Sequence, residues 1–263
     1  MKIKKIHILL IIFIGIFIYS GNLLLNWCID NIRINNERKE IEDIINIEEI
    51  DTENIELINP SEDDDYWTFI KMPFINVDLE ELQKINSDTI GFISVSGTNI
   101  NYPIVQTTNN EFYLNHSFRK RRNRAGWVFM DYRNNALSFD KNTILYGHSR
   151  TNRTMFGDLR NILNTNWINN RNNHVIRLST LNENSLWQIF SIYTIPVENY
   201  YLNINFRNNE EYNTWLQTML NRSQHNFNTT VDINDRVITL STCADNNNTR
   251  RMVVHAKLLK RTI

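Results

Sequence analysis

From Ile6 to Leu25 the chain is an almost unbroken run of Ile, Leu and Phe, interrupted only by His7, Gly15, Tyr19, Ser20, Gly21 and Asn22. About twenty apolar residues form roughly 30 Å of helix, the thickness of a bilayer's hydrocarbon core. Lys2, Lys4 and Lys5 precede the run, so the positive-inside bias keeps residues 1–5 in the cytoplasm and sends everything after Trp27 outside. A cleaved signal peptide is the alternative, but Tyr19-Ser20-Gly21 is a poor small-x-small site and apolar character resumes at Leu23 to Leu25. The expectation is a signal anchor over 6–27, single-pass, with the remainder of the chain extracellular.

That remainder is large enough to bury a core without metals or disulfides. The 263 residues carry 28 basic and 29 acidic side chains, a net charge of -1, which fits neither a disordered chain nor a globally basic nucleic-acid binder. Cys28 and Cys243 are the only two cysteines, too far apart for a CxxC or zinc-ribbon pattern. Cys28 reads as a small apolar residue at the helix end. The sequence contains 42 Asn, so Asn-x-Ser/Thr triplets arise by chance and carry no argument. No HExxH, P-loop or GxGxxG appears, so no metal, nucleotide or other cofactor is implied.

Ile29 to Asn59 spaces Ile34, Ile41, Ile44, Ile45, Ile47 and Ile50 at helical intervals among charged residues, which predicts an amphipathic helix, lying on the membrane or packed on the following domain. The acidic run Glu62 to Asp65 after Pro60 reads as a solvated hinge. Residues 28–87 are thus expected to form a membrane-proximal helical segment and linker, with a separate domain over 88–263.

In that domain the pattern turns to short β-rich runs: Ile90 to Val95, Ile100 to Val105, Gly126 to Met130, Thr143 to Tyr146, His174 to Leu178, Leu186 to Ile195, Arg236 to Leu240 and Met252 to Leu259. Eight such runs with irregular polar links predict a mainly β barrel or sandwich. Helical signals interrupt at Met155 to Leu163 and at Glu210 to Asn221, where Tyr212, Trp215, Leu216, Met219 and Leu220 form one apolar stripe.

The chemistry concentrates at two strand ends. Alternation places Val237, Thr239, Ser241 and Cys243 on one face, so a thiol closes a strand. The link Ala244 to Arg250 is short enough for a hairpin that returns Arg251 beside Cys243, where a cation favours a thiolate or holds a developing oxyanion. A cysteine nucleophile also needs a proton-transfer partner, and His148 in Tyr146-Gly147-His148-Ser149 follows another strand end. His7 lies in the membrane segment, His116 and His225 in polar links, and His174 and His255 within strands. Arg119 to Arg124, with five basic residues of six, reads as a solvated loop, with contact to anionic wall polymer or lipid headgroups as the alternative, rather than as a nucleic-acid site.

Thr239-Leu240-Ser241-Thr242-Cys243 resembles the TLxTC signature of sortases, the cysteine transpeptidases of Gram-positive cell surfaces, and Arg251 to Leu258 resembles the arginine-bearing strand that follows it. Asn142 to His148 with Met155 to Leu159, Ala125 to Asn134, and Gly91 to Gln106 are similar specifically to class B sortases. The resemblance spans Asp88 to Lys260 and implies an eight-stranded sortase β-barrel with N-terminal helices and an extra helix before the cysteine strand. It also implies Cys243 as nucleophile, His148 as general acid/base and Arg251, rather than Arg250, as the partner of the acyl oxygen, with Ser241 and Thr242 as substrate-binding neighbours. The implied partners are secreted proteins ending in an NPxTN-like sorting signal and a lipid-linked peptidoglycan precursor amine. Arg119 to Arg124 departs from the family pattern. A tethered cysteine peptidase using water as acceptor, or a noncatalytic surface-binding module, are the rival readings.

Overall fold

The computed structural model describes residues 5–60, 64–244 and 249–262. Eight strands close on themselves: β4 (Thr89–Val95), β5 (Asn101–Val105), β6 (Phe129–Met130), β7 (Asn142–Tyr146), β8 (Val175–Thr180), β9 (Asn184–Pro196), β10 (Val237–Cys243) and β11 (Arg250–Thr262). Their order is β10-β7-β6-β5-β4-β8-β9-β11, and β11 pairs back with β10, so the barrel has no open seam. Closure removes the unpaired edges that an open sheet would present.

Phe92, Ile104, Trp127, Leu145, Ile176, Trp187, Ile238, Leu240 and Val254 are fully or almost fully buried in the barrel core. The opposite face of β9, β10 and β11 is covered by helix α5 (Asn209–Asn221), whose Tyr212, Trp215, Leu216 and Met219 pack on Phe190, Val237 and Val253. The predicted stripe is therefore core. Asn208 caps this helix, its side chain accepting from Glu211 N at 2.9 Å. The barrel, the N-terminal helix and the helix before the cysteine strand agree with the expected architecture.

Two sequence expectations shift within the barrel. Gly126 to Met130 contracts to the two-residue β6, because Gly126 turns the chain at φ +60 and donates its N–H to Asn123 O. Met155 to Leu163 forms a 3₁₀ turn over Gly157–Asn161 followed by the short α4 (Thr165–Ile168) rather than one helix.

The N-terminal segment needs a larger correction. Helix α1 runs without a break from Lys5 to Ile44, about 60 Å at 1.5 Å per residue. Its first half is exposed and apolar enough to cross a membrane, whereas Ile34, Glu37 and Ile41 in its second half are buried against the barrel. Past Ile44 the helix expected to reach Asn59 gives way to β1 (Ile47–Ile50) and β2 (Ile55–Leu57). β1 pairs with β3 (Phe74–Val77), and β2 adds to the barrel sheet along β11. The isoleucine spacing fits a helix, but unpaired backbone on β11 and β3 offers a strand more hydrogen bonds than a further helical turn. Ile44 and Ile47, expected on the apolar face, are exposed.

Of the expected acidic hinge, Ser61 to Asp63 lie outside the described residues, while Asp64 and Asp65 open helix α2 (Asp64–Phe69). Tyr66 and Phe69 of that helix pack with Phe74, Val175, Leu186 and Leu259, which ties the segment to the barrel. A further helix, α3 (Leu79–Ile85), capped by Asp78, leads into β4.

Candidate active site

The two C-terminal strands set the first half of the site. β10 and β11 pair antiparallel with Cys243 opposite Arg251, the register the hairpin spacing predicts. Arg251 lines the cleft beside the cysteine, whereas the Arg250 guanidinium donates to Thr194 O at 3.1 Å on β9. Asp245 to Asn248 of the intervening link lie outside the described residues.

The second half comes from a parallel pairing. β7 runs alongside β10 with Tyr146 opposite Ser241. Two residues further on in each strand direction stand His148 and Cys243, so the parallel register delivers both to the same barrel end. Cys243, His148 and Arg251 line one cleft of about 270 Å³, with Leu114, Phe129, Tyr146 and Tyr201 among its walls. Six histidines are present in the chain, and among the described residues His148 alone contributes an imidazole to this cleft. His255 is fully buried between Tyr193 Oη at 2.9 Å and Thr239 Oγ1 at 2.8 Å, and burial holds it down at about 3.

His148 is half-buried and oriented. Its Nε2 lies 2.8 Å from Leu114 O, and a carbonyl only accepts, so Nε2 carries the proton. The adjacent Cδ2 faces Gly126, where an added Cβ would fall 2.9 Å from that carbon and 2.4 Å from Tyr113 O. The Nε2–Cδ2 edge thus rests on the 113–126 segment, and Nδ1, on the opposite edge, keeps its lone pair. Burial lowers the His148 pKa, the Leu114 hydrogen bond opposes this, and nearby Arg150 lowers it further. The resting imidazole is neutral at pH 7.

Ser241 and Thr242 also border the cleft. Ser241 Oγ is 3.0 Å from Tyr201 Oη, while Thr242 is buried and its hydroxyl has no hydrogen-bond partner among the described residues. Beneath the cleft, Asp131 is fully buried and accepts from Arg133 Nε at 2.8 Å, Arg133 Nη2 at 2.7 Å and Tyr146 Oη at 2.9 Å. Burial pushes this carboxyl up, but the Arg133 and Tyr146 hydrogen bonds outweigh it and hold the pKa below its ordinary value. The Asp131-Tyr132-Arg133 motif is therefore a brace for the strand end that leads to His148.

Sequence reasoning missed the outer wall, Val197 to Leu202, between β9 and α5. Tyr201 is buried there, and Glu198 is held by Arg222 at 2.6 Å. Nothing in its local pattern separates this link from other polar links.

A sortase-domain profile matches residues 93–259, which contain the cleft's three paired strand ends. Sortase B of Staphylococcus aureus is 37% identical over 183 residues, 69% of this chain and 74% of that protein. Sortase B of Listeria monocytogenes is 35% identical over 188 residues, with the same shares covered. This chain belongs to the sortase family. Its relatives place it on the class B branch, whose activity is of the transpeptidase type in cell-wall anchoring. Among solved structures, the Staphylococcus aureus sortase B–substrate complex superposes with a TM-score of 0.64 at 37% identity, covering 69% of this chain and 84% of that one. A Bacillus anthracis protein described as similar to sortase B superposes at 0.67 with 34% identity, covering 86% of this sortase and 94% of the other.

Proposed function

We propose that this sortase is a membrane-anchored cysteine transpeptidase that cleaves an NPxTN-like C-terminal sorting signal after Thr and transfers the upstream protein to a peptidoglycan amine. The observation that carries the reading is the convergence of β7, β10 and β11, which brings His148, Cys243 and Arg251 into one cleft. The division of the chain that accompanies it is 1–5 cytoplasmic, 6–27 spanning, 28–87 membrane-proximal and 88–263 catalytic, with the cleft outside the cell.

Cys243 Sγ attacks the threonyl carbonyl as its proton passes to His148 Nδ1, and Arg251 faces the oxyanion that develops. The tetrahedral adduct collapses with cleavage of the C–N bond, and the proton on His148 leaves with the departing amine. The thioester is then attacked by the amine of a lipid-linked peptidoglycan precursor. Its excess proton passes to His148, the C–S bond breaks, and the leaving Cys243 sulfur takes that proton from His148, restoring the thiol and the neutral imidazole. Ser241 and Thr242 frame the substrate beside the nucleophile. A substrate complex and a triglycine complex of sortase B support a peptide donor and an amine acceptor for this cleft by relationship.

The test supplies an NPxTN-containing peptide with and without triglycine. The expected outcome is a Thr-triglycine ligation product with the wild-type protein and no cleavage with Cys243→Ala. Hydrolysis unaffected by triglycine would favour the tethered peptidase, and turnover by Cys243→Ala would refute the nucleophile.

A further inference from the structure

The basic segment Arg119 to Arg124, a departure from the family pattern, packs directly on α1. Arg119 N donates to Glu37 Oε1 at 2.7 Å, its guanidinium reaches Glu40 at 3.1 Å, and Asn123 Nδ2 donates to Asp30 O at 3.2 Å. Between helix and segment lies a hollow of about 410 Å³, lined by Arg33, Arg119, Arg121, Arg122, Ser117 and Asn123 along with the helix carboxylates Glu37 and Glu40. Arg119 engages both carboxylates. Arg33, Arg121 and Arg122 form no ion pair with a carboxylate among the described residues. Ser117, 1% exposed, also borders the hollow, and its buried Oγ has no hydrogen-bond partner among the described residues. Four guanidiniums against two carboxylates leave the hollow net positive, and with an unsatisfied hydroxyl beside it this makes a site for an anionic oxygen-rich group.

Its end nearest the apolar run points to the source of that group. α1 is continuous, so Arg33, eight residues past Leu25, stands about 12 Å beyond the apolar run. Side chains on a helix tilt toward its N-terminus, so Arg33 reaches back toward the bilayer. Arg124 is lower still, sharing a second hollow with Trp27 at the membrane edge. Interfacial headgroups occupy the several ångströms outside the hydrocarbon.

We propose that the hollow between α1 and the Ser117–Asn123 turn binds the phosphate of anionic lipid headgroups in the outer leaflet, seating the catalytic cleft at a fixed height and tilt over the membrane. The proposal rests on the reading of α1 as an anchor with the domain outside. Anionic lipid attracts juxtamembrane basic clusters, and the attraction is screened within about 8 Å at physiological salt.

The test reconstitutes the full chain in phosphatidylcholine vesicles with and without phosphatidylglycerol and follows amide hydrogen exchange over residues 117–124. Phosphatidylglycerol should slow exchange there severalfold, and high salt should reverse the effect. Arg121→Glu with Arg122→Glu should abolish it while leaving turnover of a soluble sorting peptide unchanged, which also reports that the variant is folded. Arg121→Lys with Arg122→Lys should retain it. Exchange that is indifferent to lipid composition overturns the proposal, and so does equal protection by inorganic phosphate on phosphatidylcholine vesicles, which would make the hollow a free-phosphate site. Release of the chain from vesicles by alkaline carbonate refutes the anchor and the proposal together. Retention with composition-independent exchange refutes the proposal alone.

Discussion

His148 stands between two hollows of opposite character. On one side is the cleft of about 270 Å³ with Cys243 and Arg251, walled by Phe129, Tyr146 and Tyr201. On the other is a hollow of about 240 Å³ lined by Trp27, Arg124, Ser149, Arg150 and Thr151. The first is held by strand register and a buried Asp131–Arg133–Tyr146 brace, the second by docking of α1, where Asn31 takes hydrogen bonds from Arg150 and from Asn152 at 3.3 Å. Cys243 belongs to the barrel's strand ends, whereas Arg124 and Arg150 gather beside the N-terminal helix. A single imidazole lines both, and Arg150 in the second hollow lowers its pKa.

The largest effect should come from the residue the hollows share. On the proposed mechanism His148→Ala removes the proton carrier for both half-reactions and should lower kcat/KM on a peptide on the order of a hundredfold or more. Near-normal turnover would dissolve the link between the two sides.

Within the cleft, Arg251 and Arg250 differ by one position and should differ widely in effect. Arg251→Lys keeps the charge but loses the planar fork, for an expected drop of about tenfold to a hundredfold in kcat/KM. Arg250→Ala removes an exposed side chain that donates to Thr194 O on β9 and should stay within about twofold of wild type, the usual reach of an exposed group. The reverse ranking would shift the functional register by one residue.

Gly126→Ala tests the wall that orients His148. At φ +60, with Tyr113 O 2.4 Å from the new Cβ, the substitution should destabilise the fold by about 1 to 3 kcal/mol in denaturant unfolding, with a loss of activity as the ring is displaced. Unchanged stability would mean that this wall yields.

The smallest effect concerns pH. Burial and Arg150 both lower the His148 pKa, so the neutral base persists to more acidic pH and the acid limb of kcat/KM should lie below the ordinary imidazole value of about 6.5. Arg150→Ala removes the repelling charge and should move that limb upward, by less than the burial contribution that remains. A limb unmoved by Arg150→Ala would uncouple the two hollows. The buried His255 works in the same direction on stability. It is held at about 3 in the fold against about 6.5 unfolded, so the unfolded chain binds the proton first. Stability should therefore fall as pH drops through that window, measured as Tm against pH.

The strand ends at Cys243 and Arg251 were legible because a hairpin register depends on a few residues and one short link. The helix Asn209–Asn221 was legible from its apolar stripe, and the first half of α1 from continuous hydrophobicity. These are short-range properties, set by backbone periodicity and local burial.

What the sequence by itself determined is the membrane-length helix, the succession of strands and the hairpin that sets Cys243 opposite Arg251, each written within a window of about twenty residues or fewer. The tertiary structure decided the rest. Barrel closure selects β7 as the parallel neighbour of β10, and that choice, between segments far apart in the chain, brings His148 beside Cys243. The end of β11 that runs past β10, and β3 outside the barrel, draw residues 55–57 and 47–50 into strands against their helical spacing, and the packed fold places Tyr201 from a polar link onto the cleft wall. Such pairings follow from which partner surface is left unsatisfied after the whole core has packed, a quantity no local window contains.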